Sequence, residues 1–522
     1  MSKFQKSKKI LSILIPIATS LSMCGVFASS CSKKTSIITK FDAKLIGAEK
    51  GTIITKVDSR NHVTISGVSD DFAATDLDFN NGIFSHEGKT YSIKEISGGA
   101  FNSTPNLKGK LIIPSSIEVI GDQAFKDCKN LNSELVLNNG LLTIGNGAFE
   151  GCYFFSDLLI PDSVTSIGER AFAKNIALNG TLKLPTNLKV INKETFIGCE
   201  GFSGELKLPN SLLTIGDNAF GGCSNFMGSL VIPDSITTIG QSAFDNMSNI
   251  TDVVIGSNLS NIPNCCFRDC TSLKFIQNLS TNNSLTSIGN YAFSNCCNLE
   301  GEISLNNKIT LIGNHAFNGC SKITSLILND SITKIGDYAF KNCLNIANQI
   351  NIPASIESIP QGCFENCKKI SGTLTIKSNV KTIGSSAFSN CISLTNLLFN
   401  EGVTSIGASA FSSCSQIANE NLILPQSLTT ISNNAFYHCN DIKNITFLST
   451  KCTIGESAFS DCSSLQTVDW TNFTDLIPFN LSIFNNCDSL TKIYLKNTVL
   501  VQKYSNDLGW KIYKSYFDVK PL

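Results

Sequence analysis

The sequence predicts a repeat solenoid: a chain wound into about seventeen stacked coils, with a parallel β-sheet along one side. Three observations predict it. First, phenylalanine recurs at Phe101, Phe125, Phe149, Phe172, Phe196, Phe220, Phe244, Phe267, Phe293, Phe317, Phe340, Phe364, Phe388, Phe411, Phe436, Phe459 and Phe484, at intervals of 23 to 26 residues, most often 24. That period belongs to stacked-coil repeat proteins and is too regular for a compact domain. Second, each Phe ends the same template, as in Leu230-Val-Ile-Pro-Asp-Ser-Ile-Thr-Thr-Ile-Gly-Gln-Ser-Ala-Phe244. Third, the segment that opens each template alternates apolar and outward residues like one short strand, and a Pro, Asn or Lys stops it. A single 24-residue coil cannot bury its apolar face alone, whereas a stack can.

The elements follow in chain order. Lys3, Lys6, Lys8 and Lys9 precede an apolar stretch from Ile10 to Ala28, the layout of an export signal, so residues 1–30 are expected to be a lipoprotein signal peptide. Ala28-Ser29-Ser30-Cys31 resembles a bacterial lipobox, with Ala28 where that motif usually carries Leu. Cys31 is the expected lipidation site, because its thiol forms the required thioether and two acyl chains on one residue anchor stably. An uncleaved signal anchor is the alternative, and both place the repeats outside the membrane. Residues 31–90 read as a tether followed by an N-terminal β-type cap, with strands from Gly51 onward and a hairpin around Glu87-Gly88. Residues 91–495 are the repeats. Residues 496–522 read as the opposite cap, packed through Tyr504, Leu508, Trp510 and Ile512, with Ile493-Tyr-Leu495 as the last strand.

Within the template the Gly is expected to supply a turn conformation, the Ala a close approach, and the Phe the filling between coils. Phe125, Phe149, Phe220, Phe317, Phe340 and Phe388 represent that spine. Some copies depart from the template: Pro263 and Pro360 replace Gly, Cys266, Cys363 and Thr195 replace Ala, and the Phe484 copy lacks Ile-Gly. These read as tolerated packing variants.

The pattern Cys-x-x-Leu, strand, Pro, then Ile-Gly-x-x-Ala-Phe resembles the BspA-like (Treponema pallidum type) leucine-rich repeats of bacterial surface proteins, over roughly residues 91 to 500. The resemblance implies a right-handed curved solenoid with its parallel sheet on the concave face and irregular or 3-10 turns on the convex face. It also implies display at the extracellular face of a bacterial membrane and protein–protein binding. Together with the anchor it points to adhesion to host or neighbouring-cell surface proteins by a monomer. A structural or antigenic spacer without a specific ligand is the alternative.

Composition narrows the chemistry. Lys and Arg number 41 and Asp and Glu 41, so no net field draws nucleic acid. The histidines His62, His86, His315 and His438 lie in separate segments with no hydrolase, metalloprotease or phosphate-loop motif. Neither enzymatic activity nor a cofactor or metal is expected. The repeated Pro-Asp-Ser, as at Pro161 and Pro233, reads as a turn favoured for local hydrogen bonding. Fourteen of the 21 cysteines stand three residues after a repeat Phe, with Thr104, Asn175 and Met247 as the substitutes. Packing of a modest buried group explains that ladder. Disulfides along it lie within reach at about 4.8 Å per coil, although stacked side chains point the same way. Zinc at Cys266/Cys270 or Cys363/Cys367 would lack a histidine partner.

The middle residue of each strand should face solvent. That row is Ile112, Val136, Leu159, Lys183, Lys207, Val231, Val254, Ser304, Ile327, Asn351, Thr375, Leu398, Ile423, Thr446, Asp469 and Tyr494. Its apolar members, from Ile112 to Leu159 and at Val231 and Val254, form the expected binding patches; β-branched residues are also simply good strand formers.

Overall fold

A computed structural model describes residues 37–41, 45–86, 88–478 and 482–520; the signal segment and Cys31 lie outside them. From residue 93 onward the chain is the predicted solenoid, and its coils are joined on three sides by different devices.

The turn side is the most regular. All seventeen repeat phenylalanines form one unbroken column, with ring centroids 4.9–6.0 Å apart and neighbouring planes within 20° of parallel. Offset stacking of this kind is favourable beyond the area it buries. Around each Phe the amides alternate in direction. Gln123, Phe125 and Asp127 donate to the carbonyls of Asn146, Ala148 and Glu150 in the next coil, at 2.7, 2.8 and 2.7 Å. Ala124, Lys126 and Cys128 donate within their own coil to Gly121, Gln123 and Phe125. The turn-built side that the resemblance implies is therefore an ordered chain of turns, each closed by a bond three residues back. It needs left-handed backbone two residues before and two residues after each Phe, as at Asn218 (φ 52°) and Asn342 (φ 61°).

The template glycine plays a different part from the one expected. Gly145 and Gly313 are not among the residues with positive φ. A Cβ at Gly145 would lie 2.5 Å from the Asp122 amide nitrogen, and at Gly313 2.5 Å from that of Asn290. The glycine is required because the preceding coil's backbone passes against it, not to adopt an unusual φ.

A second, short parallel ladder, not anticipated from the sequence, runs through the residue pair ending at each template Ile, as in Thr143–Ile144 beside Val119–Ile120 and Ser166–Ile167. The glycine amide closes it, Gly145 donating to Ile120 at 2.7 Å. Within the repeats this ladder runs in four blocks, broken between Ile167 and Val190, between Ile239 and Asn261, and between Ile335 and Ser358. Each break falls where Asn192, Pro263 or Pro360 stands in the glycine slot. Proline has no amide to give, and the Asn192 side chain donates to Ile167 O at 2.6 Å instead. Ser432 keeps its amide bond to Ile406 O, and the ladder passes through. Pro263 and Pro360 are thus more than packing variants: they cut the short ladder. The Ala-slot replacements leave the turn-side bonds intact, Phe172, Phe244 and Phe340 donating to Thr195, Cys266 and Cys363.

The long strands form the third side, with registers such as Val136 beside Ile112 and Leu398 beside Thr375. This sheet is also discontinuous. At two gaps an asparagine side chain stands in for a peptide: Asn348 pairs with both the amide and the carbonyl of Leu326 at 3.0 and 2.9 Å, and Asn419 does the same for Leu397 at 3.0 and 3.0 Å.

At the N-terminal end, strand Ala73–Asp78 pairs parallel with the first long strand, Leu107–Ile113, and strand His62–Val68 pairs parallel with Lys89–Ile96. Antiparallel strands Ile46–Lys50 and Ile53–Val57 then cover them. Pairing thus begins before Gly51. Phe72 and Phe79 meet Phe101 edge-on and close the aromatic column. At the other end, the helix Thr498–Asn506 and a 3-10 segment place Tyr504 and Trp510 in the core. Leu508 and Ile512, expected to pack there, are instead 83% and 61% exposed. The last strand is Phe517–Val519, which pairs parallel with Lys492–Leu495, so the sheet runs one strand beyond Ile493-Tyr-Leu495.

Candidate binding surface

The long strands present the expected alternation. Leu159, Lys183, Lys207, Val231, Ile327, Asn351, Leu398 and Ile423 are exposed; Ile112, Val136, Val254, Ser304, Thr375, Thr446 and Tyr494 are half-buried. Asp469 departs from the row. It is buried at 6%, because Lys520 from the C-terminal segment reaches over it to pair at 2.6 Å and Thr471 donates to it through both backbone and side chain. Burial would raise its carboxyl pKa, but these bonds outweigh burial and hold it below the ordinary value.

The apolar surface is distributed differently from the two expected patches. Ile112 lies between Asp78 and Val136 and is half covered. The larger exposures are Leu159 at 52%, Val231 at 51%, and Leu398 and Ile423 at 48% each. Phe155 and Met227, just before their strands, add 63% and 51%. Phe155 departs from the template, although other coils of the same 23-residue length keep this position inward, as at Ile250 and Ile323. Elsewhere the residue three after the cysteine points inward, as at Phe202 and Phe226; here Phe154 takes that place and Phe155 turns out.

The remaining reactive groups are absorbed by the coil architecture. Each thiol of the ladder donates to the carbonyl of the Phe one coil earlier, as Cys128 to Phe101 at 3.0 Å and Cys343 to Phe317 at 3.3 Å. Asn175 donates its amide to Phe149 O at 2.7 Å in the same way. The position thus selects a small hydrogen-bond donor as well as a buried volume, a preference that its Asn substitute already signals. Burial pushes the Cys128, Cys199 and Cys414 thiols up to about 12, so they remain protonated donors and poor nucleophiles. All nineteen cysteines among the described residues are free.

The backbone of the Pro-Asp-Ser turn closes locally, Val164 donating to Pro161 O and Ile236 to Pro233 O at 3.0 and 3.1 Å, while its side chains bond between coils. Asp162 accepts from the Thr186 amide at 2.8 Å and Asp234 from the Ser257 amide at 2.7 Å, while Ser235 donates back to Leu212 O at 2.6 Å. Of the histidines, His62 pairs with Asp58, His315 is stacked between Tyr291 and Tyr338, and His438 lies against Tyr437. Among the described residues no three His, Cys, Asp or Glu side chains converge to hold a metal, and no helix is long and apolar enough to cross a membrane.

Comparison with known proteins accords with this geometry. A family model described as a BspA type leucine rich repeat region matches residues 94–204, 202–301, 286–418 and 415–507. A leucine-rich repeat protein from Bacteroides ovatus is 23% identical and is covered over 100% of its length by 84% of this chain, with a TM-score of 0.53. A leucine rich cell surface protein from Faecalibacterium prausnitzii is 17% identical, with 94% of this chain covering 100% of that one and a TM-score of 0.36. No curated protein sequence matches. The first likeness is one of fold, and the family model spans about four fifths of the sequence. With its unbroken Phe column and Ile-Gly-x-x-Ala-Phe coils, the chain belongs to the BspA-type leucine-rich repeat family.

Proposed function

We propose that the protein is a surface lipoprotein that binds other proteins through the outer face of its long strands, as an adhesin for host or neighbouring-cell components. The observation that carries this reading is the outward row with half-exposed Leu159, Val231, Leu398 and Ile423 on a backbone already fixed by stacking. Covering four such half-exposed side chains is worth on the order of 3–6 kcal/mol. Little of that is spent on ordering the surface. Lys183 and Lys207, exposed on successive coils, would add pairing with acidic groups on a partner. The lipid anchor at Cys31 rests on the signal-like N-terminus and would hold this face outside the cell. The domain scheme that goes with it is a signal at 1–30, a tether and cap at 31–90, the repeats at 91–495 and a second cap at 496–522. A spacer without a specific ligand is the second reading. The shielding of Ile112, Val136 and Val254 favours it, since it leaves fewer continuous apolar rungs.

The test is binding of the full chain in detergent to a panel of extracellular matrix and serum proteins, beside a variant with Leu159, Val231, Leu398 and Ile423 changed to Glu. Saturable binding that is lost in the folded variant supports the adhesin; no binding at all favours the spacer, and binding that survives the four changes overturns this face as the site. Cys31→Ser should release the protein from the membrane fraction, and retention there would favour the uncleaved anchor.

A further inference from the structure

Every junction between neighbouring coils of the repeats is closed by some combination of the turn-side bonds, the short ladder and the long-strand sheet. Where one β-ladder stops, the other usually continues. At the Asn192 break the long strands Leu158–Leu159 and Leu182–Lys183 remain paired, and at the Pro263 break the strands Gly228–Val231, Ile250–Val254 and Phe275–Gln277 run on as one sheet. Where the long sheet stops between Phe399 and Leu422, the short ladder continues from Ser405–Ile406 to Thr430–Ile431.

One junction has neither. Between the coil of strand Ile323–Ile327 and the next, the long sheet ends, and the short ladder ends between Lys334–Ile335 and Ser358–Ile359 because Pro360 lacks the amide. A cleft opens between the two coils on that side, lined by Thr333, Lys334, Ile335, Glu357, Ser358 and Pro360. What still joins the coils is concentrated on the other sides. Tyr338, Phe340 and Asn342 donate to Gln361, Cys363 and Glu365 at 2.8, 2.9 and 2.8 Å, and the Phe340 and Phe364 rings stack at 5.5 Å. On the strand side one backbone bond remains, Ala347 donating to Thr324 O at 3.0 Å, and bonds to side chains do the rest: the Asn348 amide on Leu326, and the Asp330 carboxylate accepting from the Ala354 amide at 2.9 Å.

We infer that this junction is a hinge: the coils up to residue 343 and those from residue 350 rock about the Phe340–Phe364 turn segment, opening and closing the cleft at Pro360. Rigid backbone on one side, mostly side-chain bonds on a second and, on the third, no ladder but the isolated bonds of Ser355 to Ile332 O and of the Gln361 amide to Asp337 Oδ1 is the arrangement that lets a stack bend at one line. The hinge divides the outward strand face in two. A partner that touches both Val231 and Leu398 must fix the angle on binding, whereas one that touches a single side need not.

The experiment places p-acetylphenylalanine, carrying a ketone-reactive spin label, at Asn307 and Thr450 of the full chain, and separately at Ala354 and Lys496. Each pair spans six coils, about 29 Å, but only the first pair crosses the junction. Pulsed dipolar spectroscopy reads the two distance distributions. The expected result is a distribution roughly twofold broader for Asn307/Thr450. In Pro360→Gly, which restores the amide and the residue most other coils carry, it narrows to that of the second pair. Asn348→Ala, which releases the side-chain clamp, broadens it further. Equal widths for the two pairs in the unmodified chain, or a width unchanged by Pro360→Gly, would overturn the hinge.

Discussion

The turn side and the strand side of this solenoid are built by opposite rules. On the turn side one chemical solution recurs in coil after coil: a stacked Phe, a small donor on the carbonyl of the preceding Phe, and left-handed residues before and after. On the strand side the inward residues hold to Leu, Ile and Val, but the outward ones run from Lys183 and Lys207 through Val231 to Asn351 and Leu398. The β-ladders there break and are patched by side chains. The difference teaches that stacking is secured by the side that repeats, which frees the other to vary.

If so, the largest loss should come from the column. Phe317→Ala, at a site with no exposure and a ring on either side, should cost about 3–5 kcal/mol, read as a lower denaturation midpoint. Gly313→Ala forces a Cβ onto the Asn290 and Gly289 backbone and should cost about 1–3 kcal/mol. A harmless substitution there would sink the close-approach account of the glycine. Cys343→Ala removes the donor to Phe317 O while the Cys320 amide still serves that carbonyl; about 1 kcal/mol is expected, most of it restored by Cys343→Ser.

A smaller effect should follow pH. The carboxyls of Asp162, Asp234 and Asp330 are held below the ordinary aspartate value of 3.8, chiefly by the backbone amide that each accepts from the next coil. Because the folded pKa lies below the unfolded one, their stabilisation is present above the unfolded value and is lost as pH falls through the folded one. Changing all three to Asn should lower the melting temperature at neutral pH and flatten its fall below about pH 4. The smallest effect belongs to the strand face: Leu398→Ser with Ile423→Ser should shift stability by no more than about 0.5 kcal/mol per site, whatever it does to binding.

Much of the fold was legible because the period is one coil long, so Phe, Cys and Ile each returned to one place. The glycine was misread because its constraint comes from a neighbouring coil 24 residues away. The positions that do need left-handed backbone carry Asn, Asp, Ser or Gly in most copies, as at Asp127, Asn246, Gly319 and Asn390, a signal present in the sequence. The short ladder has only two residues per coil and thus no alternation to read. Strand Ala73–Asp78 reads Ala-Ala-Thr-Asp-Leu-Asp, a composition poor in strand formers. On the candidate surface, the alternation gave the outward row, but not how far each side chain is covered. Asp469 is buried by Lys520, 51 residues further on, and Phe155 is turned out because Phe154 takes the inward place. Neither follows from the template.

The most direct test of the division between the two sides is amide hydrogen exchange, resolved to single residues, across the weakest junction. The amides of Phe340 and Asn342, which donate between coils on the turn side, should exchange as slowly as those of Phe388 and Phe411 in the uninterrupted block, while the segment from Ser355 to Ile359 exchanges orders of magnitude faster. If the Phe340 and Asn342 amides exchanged as fast as that segment, the turn side would not be what holds the coils together, and the account would fail.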